Sequence, residues 1–473
     1  MRTGLLPGSA VTRLVFCIVD GMADTPSRCD RGQTPLMRAA TPHMDHMARH
    51  GVAGLCHVTP PGASPGTDVG LPALLGLPDA LRPQGRGALE ALAAGYSPVP
   101  GTTVWRLNVL ALDADGIIRD PAHQPAPAVD AYLTSIHPAD MPLMDTPMAG
   151  TVCVSHTPTA QPVQATPTPA KQCTPAAPGT FTLLPLGGFR HLLQEVTPTP
   201  PPVLPAPPDL VGKPFDEALA HLQCAAPALA HWVQATRQRL ASVAPPGPAL
   251  ALWPWSGAVM QPLPAFHTLY GHSAGMVAGV PLARGLGMAM QMETPLVPGA
   301  TGDKHTDLAA KARAACDLLH RHRVVFVHVE APDLCAHARD AHGKAHALEI
   351  IDRDLLGVMR NACPHVAFVV TCDHVTESAT GLHGAAPVPW LLYAGPGTAP
   401  HQPPGKTINA RTAPPSTFTA HTAEEEATDH NALSAQSFDE RTVAGGPCMT
   451  SGQALLAHAI RILCTPAASR ADN

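Results

Sequence analysis

The chain has 473 residues, more than a single core usually serves, so two domains are expected. Charged residues make up only 14% and the formal net charge is −6, with no basic stripe or Lys/Arg block. That balance excludes general attraction to nucleic acid or an anionic membrane and leaves a small molecule as the expected partner.

The 12 cysteines are scattered without a CxxC pair, which fits a reducing compartment. Met1 to Arg13 is broken by Gly and Pro, the apolar run behind it is cut by Asp20, and nothing resembles a span of about 18 apolar residues. A soluble, cytoplasmic protein is the expectation.

In chain order, an apolar β-type run, Leu14 to Val19, stops at Asp20. Thr34-Pro35-Leu36 follows, with Thr as cap and Pro at the first helical position; Thr41-Pro42 repeats the signal and opens a helix with Met44, Met47 and Ala48 on one face, ended by Gly51. Pro65-Gly66-Thr67-Asp68 precedes an apolar stretch, Val69 to Leu77, that reads as a helix. From spacing alone Thr67 is either an N-cap or a nucleophile, and the cap is the simpler reading.

The character changes between about Tyr96 and Arg284. Strand signals weaken, and the Pro-rich tracts His156 to Gly179 and Thr197 to Pro208 read as loops or disordered insertions. Phe215 to Val243 carries apolar residues close to a helical stripe and is expected to form one helix.

The α/β pattern then returns. A helix at Asp307 to His320 leads to the strand Val324 to Val329, which runs into Glu330-Ala-Pro-Asp333 with His337 beyond. A helix at Ala345 to Arg360, a strand from Val366 to Thr371 into Asp373-His374, and a strand at Trp390 to Ala394 follow. The polar tract Pro400 to His430 reads as a mobile surface loop. The first strand therefore pairs with strands roughly 300 residues later, and the middle is an insertion into one sheet. The expected domains are 1–96 with 285–473, and an inserted 97–284.

Open α/β sheets bind ligands at the carboxyl ends of their parallel strands, where Asp20, Asp333 and Asp373 arrive with His337, His374 and His383. Carboxylates and imidazoles together suit divalent cations, and a pair of ions about 4 Å apart can clamp the attacking and leaving oxygens of a phosphoryl displacement. His328, inside a β run, reads instead as a core or edge histidine. The competing reading of the others is a set of solvated surface residues in a chain with 26 His.

The ordered motifs resemble the alkaline phosphatase superfamily, and within it the archaeal-type 2,3-bisphosphoglycerate-independent phosphoglycerate mutases. The resemblance is carried by IVDGMAD (18–24), QTPLMRAATPHMDHMARHGVAG (33–54), PGTDVGLPALLG (65–76), GRGALEALAAG (85–95), PGATGDKHTDLAAKA (298–312), HVEAPDLCAH (328–337) and DHVTESATGLHGAAPVPWLL (373–392). It continues more thinly at WRLN (105–108), FRHLL (189–193) and LWPWSGAVMQPLPAFHTLYG (252–271).

The resemblance implies an alkaline phosphatase-like α/β fold, with a mainly parallel sheet flanked by helices and a second α/β domain inserted. It implies two divalent ions (Mn²⁺, Zn²⁺, Mg²⁺ or Co²⁺), with Asp20, Thr67, Asp373 and His374 on one and Asp333, His337 and His383 on the other. Thr67 becomes the nucleophile of a phosphoenzyme that interconverts 3-phosphoglycerate and 2-phosphoglycerate in glycolysis. Arg86 and Lys311 are implied to position phosphate, and Arg106 and Arg190 to hold the small phosphorylated substrate.

Two departures are visible. Most of these mutases carry Ser where this chain has Thr67, and the arginine-rich DRRAGR segment of the family is replaced here by IIRDPAHQ (117–124), which keeps only Arg119. HVEAPD and the WPW segment also resemble a bacterial branch proposed to act as homoserine kinase. A phosphotransferase or phosphatase using the same two metals is therefore the alternative reading, and a silent scaffold that keeps the fold is a third.

Overall fold

The computed structural model describes residues 11–26, 31–135, 171–172, 180–197, 200–259, 261–395 and 437–464. The chain divides into two compact units, one formed by Met1–Gly76 with Leu296–Asn473 and the other by Leu77–Pro295. Composition alone put the boundaries at 96/97 and 284/285. Within the second unit, the Gly87–Ala93 helix packs on the Pro281–Ala289 helix. A Cβ on Gly285 would sit 1.9 Å from the Leu89 carbonyl oxygen, so only glycine permits this approach.

In the first unit, the strand Leu14–Val19 lies parallel to Val324–Val329 on one side and to Ala367–Thr371 on the other. The sheet continues through Val388–Tyr393, which is antiparallel to both its neighbours, to Val52–Cys56 and Cys448–Met449. This is the mainly parallel α/β arrangement expected. Leu14–Val19 is buried at every position, as a central strand covered on both faces must be. Each large apolar side chain so covered contributes about 1.5–3 kcal/mol.

The pairing Val19↔Val329 and Ile18↔Thr371 brings the ends of three strands level. Asp20, Glu330 and Asp373 thus emerge at one edge, although they lie far apart in the chain.

Helix starts follow local chemistry. Thr34 caps Pro35–Arg38 by accepting from Met37 N at 3.1 Å, and Asp307 caps Leu308–Leu319 by accepting from Ala310 N at 2.8 Å. Pro42–Arg49 begins at the predicted proline, but the Thr41 side chain makes no cap bond. Asp352 supplies the cap from a distant helix, accepting from His43 N at 3.0 Å and Met44 N at 2.8 Å.

That distant segment is not the single α-helix expected. It runs as Ala341–Ile350, a wider π turn over Ile351–Gly357, and Val358–Ala362. The strand expected at Trp390 is Val388–Tyr393. The tract Pro400 to His430 lies outside the described residues.

The second unit is built on a five-stranded antiparallel sheet. Thr103–Leu112 is its centre and pairs with Ile118–Asp120, Arg190–Glu195 and Ala249–Val259, while Phe181–Pro185 adds to Arg190–Glu195. The helix expected over Phe215 to Val243 is two, Phe215–Ala225 and Pro227–Val243. Pro227 has no N–H to continue the first helix and drives Ala226 to φ −149°, ψ 80°, which ends it. Trp232, Val233 and Leu240 of the second helix bury with Trp253 and Leu252. Of the Pro-rich tracts, nearly all of 156–179 lies outside the described residues, while 200–208 is described and closes with a short 3₁₀ turn at Pro207–Leu210.

Among the described residues, no helix is long and apolar enough to cross a membrane.

Candidate metal centre

All seven residues expected to bind metal lie in the first unit, and the fold gathers them at the strand ends. Asp333, His337 and His383 present ligand atoms within 4.8 Å of one another, as do Asp20, Asp333 and His374, and Asp20, His328 and Asp373. The Ala331–His337 helix explains the first of these, because residues four apart share a face: His337 Nε2 stands 3.2 Å from Asp333 Oδ2. His383 Nε2, on the short strand His383–Gly384, reaches the same carboxylate at 3.6 Å and lies 3.0 Å from His337 Nε2.

Thr67 is the first residue of the Thr67–Leu74 helix, and the capping position falls on Gly66. The N-cap reading of Thr67 is therefore corrected. Its hydroxyl donates to Asp20 Oδ2 at 3.3 Å and stands 3.3 Å from His374 Nε2, which is itself 3.2 Å from Asp20 Oδ1 and 3.6 Å from Asp373 Oδ2.

Two glycines allow this closeness. Gly21 has φ +63°, and a Cβ there would fall 2.6 Å from the Asp333 Cα; a Cβ on Gly70 would fall 2.0 Å from the Asp373 carbonyl oxygen.

Burial, like charges and hydrogen bonds set the electrostatics of the cluster. Burial, and then the carboxylates of Asp373, Glu330 and Asp333, push the Asp20 carboxyl well above its usual range. Burial acts the same way on Asp333, but hydrogen bonds from His337, His383 and Thr376 outweigh it and hold that carboxyl below its usual range. His337 is raised in turn, chiefly by its bond to Asp333. Burial lowers His328 to about 4, so its imidazole is neutral.

Asp20 Oδ1, both Asp373 oxygens and both His328 nitrogens are buried with no hydrogen-bond partner among the described residues. Such atoms cost about 1–3 kcal/mol each when left unmatched, more for charged groups. A divalent cation would satisfy this donor set, and the mixture of carboxylate, imidazole and hydroxyl suits one.

Surrounding groups hold the candidate ligands. Lys344, fully buried, donates from Nζ to Asp24 Oδ2 at 2.9 Å, to the Ala23 carbonyl at 2.9 Å and to the Thr376 carbonyl at 2.7 Å. It ties the loop after Asp20 to the segment after His374. Sequence reading passed over Lys344, Asp24 and Thr376; the signal for Thr376 was a hydroxyl two residues beyond a candidate ligand.

Lys311 is also buried, with Nζ on the carbonyls of His328 at 3.1 Å and Thr301 at 3.4 Å. Burial lowers its ammonium to about 8, against the attraction of Glu330.

Arg86, Arg106 and Arg190 belong to the second unit. Arg106 pairs with Glu90 at 3.2 Å and stacks on Trp255, its guanidinium 3.9 Å from the ring centre. Burial lowers it to about 10, Glu90 opposes that, and the nearby charges of Arg86 and Arg190 add to it. Arg190 is exposed and lies over Phe189, while Arg86 donates its backbone N–H to Ser256 Oγ at 3.2 Å. Arg119, the arginine kept in IIRDPAHQ, is engaged with Asp113 at 2.7 Å.

Residues 12–421 match the family described as the metalloenzyme superfamily. The chain is 31% identical to the 2,3-bisphosphoglycerate-independent phosphoglycerate mutase of Methanopyrus kandleri, over 80% of this chain and 87% of that protein. It is 28% identical to the enzyme of that name from Methanothrix thermoacetophila, over 80% and 90% of the two chains. In fold it is similar to the cofactor-independent phosphoglycerate mutase of Thermoplasma acidophilum, with a TM-score of 0.53 over 96% of this chain and all of that one, at 19% identity. The chain therefore belongs to the metalloenzyme superfamily and, within it, to the family of 2,3-bisphosphoglycerate-independent phosphoglycerate mutases.

Proposed function

We propose that this protein interconverts 3-phosphoglycerate and 2-phosphoglycerate through a phosphorylated Thr67. The observation that carries this reading is the Thr67 hydroxyl, buried at a helix start within 3.3 Å of both Asp20 Oδ2 and His374 Nε2. Asp20, Thr67, Asp373 and His374 would hold one divalent ion, and Asp333, His337 and His383 a second. Such ions supply positive charge that makes the hydroxyl more acidic and offsets the charge of the transferred phosphoryl group.

The chain's own residues then act in sequence. Asp20, which accepts the hydrogen bond from Thr67, aligns the hydroxyl, whose proton is released as the oxygen attacks phosphorus. The bond from phosphorus to the substrate oxygen breaks, and that oxygen takes up a proton in place of the one Thr67 released, giving glycerate. The other glycerate hydroxyl attacks the phosphorus of phospho-Thr67 and gives up its proton, while the bond from phosphorus to the threonine oxygen breaks and that oxygen takes a proton back. Arg106 and Arg190 are the groups proposed for the carboxylate of glycerate, and Arg86 and Lys311 for its phosphate.

A second reading keeps the phospho-threonine and changes the acceptor, giving a phosphatase or an alcohol phosphotransferase. It is favoured by Arg119, which is committed to Asp113 where relatives carry several arginines. The test is a coupled assay from 3-phosphoglycerate with Mn²⁺, Zn²⁺, Mg²⁺ or Co²⁺, run beside a measurement of released phosphate. Formation of 2-phosphoglycerate that disappears in Thr67→Ala supports the mutase; phosphate release without isomer supports the second reading.

A further inference from the structure

The strand Val324–Val329 is buried along its whole length and His328 is fully buried within it. A histidine kept for packing has its ring nitrogens matched, because an unmatched buried polar atom is costly. Both ring nitrogens of His328 lack a hydrogen-bond partner among the described residues, and beside them stand Asp20 Oδ1 and both oxygens of Asp373 in the same condition. Carboxylate oxygens and an imidazole nitrogen left unmatched in one buried cluster call for a shared partner rather than several independent faults.

The three histidines already assigned to metal share a pattern of orientation. His374 turns Nδ1 to Thr376 Oγ1 at 3.0 Å, His337 to the Gly381 carbonyl at 2.8 Å and His383 to the Pro65 carbonyl at 3.2 Å. Each turns Nε2 to a carboxylate: His374 to Asp20 Oδ1 at 3.2 Å, His337 to Asp333 Oδ2 at 3.2 Å and His383 to Asp333 Oδ1 at 3.6 Å. An oxygen on Nδ1 keeps the proton there and leaves the Nε2 lone pair for a cation.

His328 has the same polarity. Its Nε2 stands 3.4 Å from Asp20 Oδ2, and its Nδ1 side faces Glu330 Oε2 at 3.9 Å. Separations of about 3.0–3.5 Å are those of two ligand atoms sharing one ion at bond lengths of about 2.1 Å. The ligand atoms of Asp20, His328 and Asp373 all lie within 4.8 Å of one another.

We propose that His328 is a metal ligand, completing with Asp20 and Asp373 a cation site on the sheet side of the centre. Asp20 thereby faces His374 through one oxygen and His328 through the other. The expected occupant is a divalent cation that accepts imidazole, such as Co²⁺, Zn²⁺ or Mn²⁺. This inference rests on the dinuclear centre proposed above, and it adds a ligand that the reading of the sequence had assigned to the core.

The test loads the full-length chain with Co²⁺ and records proton NMR in water, where imidazole N–H signals of ligating histidines are strongly shifted. Four such signals are expected in the wild type, from His328, His337, His374 and His383, and one disappears in His328→Gln. Competition with a chelating dye should show affinity for one cation falling at least about tenfold in His328→Gln and His328→Ala, with the remaining cation retained. Three signals in the wild type, or unchanged affinity in both variants, would overturn the assignment. The wild-type spectrum decides the matter even if neither variant folds. A wild-type chain that binds no divalent cation would instead refute the functional reading itself.

Discussion

Thr376 donates its hydroxyl proton to Asp333 Oδ1 at 2.6 Å and, that proton being committed, accepts from His374 Nδ1 at 3.0 Å. One buried side chain thus joins a ligand of each proposed ion. Removing the hydroxyl frees His374 to rotate and leaves an Asp333 oxygen short of a donor. Thr376→Val is expected to cost about 1–3 kcal/mol of stability and about 10–100-fold in metal affinity. Thr376→Ser, which keeps the hydroxyl, should retain most of both. Thermal melts and chelator competition on the two variants check this, and equal behaviour of Val and Ser would contradict it.

Loss of a ligand should act on chemistry rather than on fold. Asp333→Asn and His383→Ala are each expected to abolish turnover while leaving the far-ultraviolet circular dichroism spectrum unchanged, since each leaves a cation undercoordinated. Measured isomerase activity in either variant would remove that residue from the ligand set.

Gly70 is a steric requirement. A Cβ there would lie 2.0 Å from the Asp373 carbonyl oxygen, in backbone that cannot yield cheaply. Gly70→Ala is expected to cost about 1–3 kcal/mol and to displace Thr67, which begins the same helix, so that turnover falls more than stability alone explains. A crystal structure of the variant, or a melt and rate equal to wild type, decides it.

Asp352 offers a stability test away from the metals. It caps the Pro42–Arg49 helix through His43 N and Met44 N. Asp352→Ala should cost about 1–2 kcal/mol in denaturant unfolding without changing metal stoichiometry. A loss of bound cation in this variant would show that the cap also supports the centre.

The pH dependence follows from His337, whose raised pKa comes first from the hydrogen bond to Asp333. A histidine raised in the folded state contributes stability that is fully present below its unfolded value of about 6.5 and is lost as the pH rises through the folded value. Asp333, held low, works in the acid range instead, where its contribution is lost as the pH falls below the usual carboxylate range. Chelated protein should therefore melt lower at about pH 8.5 than at about pH 6.5. Cation binding must displace the His337 proton, so the rise in melting temperature on adding Mn²⁺ should grow over that same interval. A stabilisation by Mn²⁺ that is constant with pH would argue that His337 does not bind it.

Much of this was legible in the amino-acid order because it is local. An apolar run that stops at an acid marks a strand end, a Thr-Pro or Asp before an alanine-rich run marks a helix start, and Asp333 with His337 share a face because a helix repeats every 3.6 residues. The single helix expected at Phe215 to Val243 is two for a local reason too, since Pro227 stands inside the apolar stripe and breaks it at Ala226. His328 is buried in its strand as expected, and the ligand role proposed for it has no signal along the chain. A histidine inside an apolar strand looks the same on paper whether its ring is matched or not, and only its neighbours across the sheet distinguish the two.

The order of residues by itself determined the types of candidate ligand, the mainly parallel α/β sheet and the family, because these depend on residue chemistry and spacing along the chain. The tertiary structure alone decided that Asp20 meets His328 as well as His374, that Thr376 joins the two ligand groups, and that Asp352 caps a helix about 310 residues away. Those relationships arise from register between strands and from packing at contact distance, and neither is encoded in any local window of the chain.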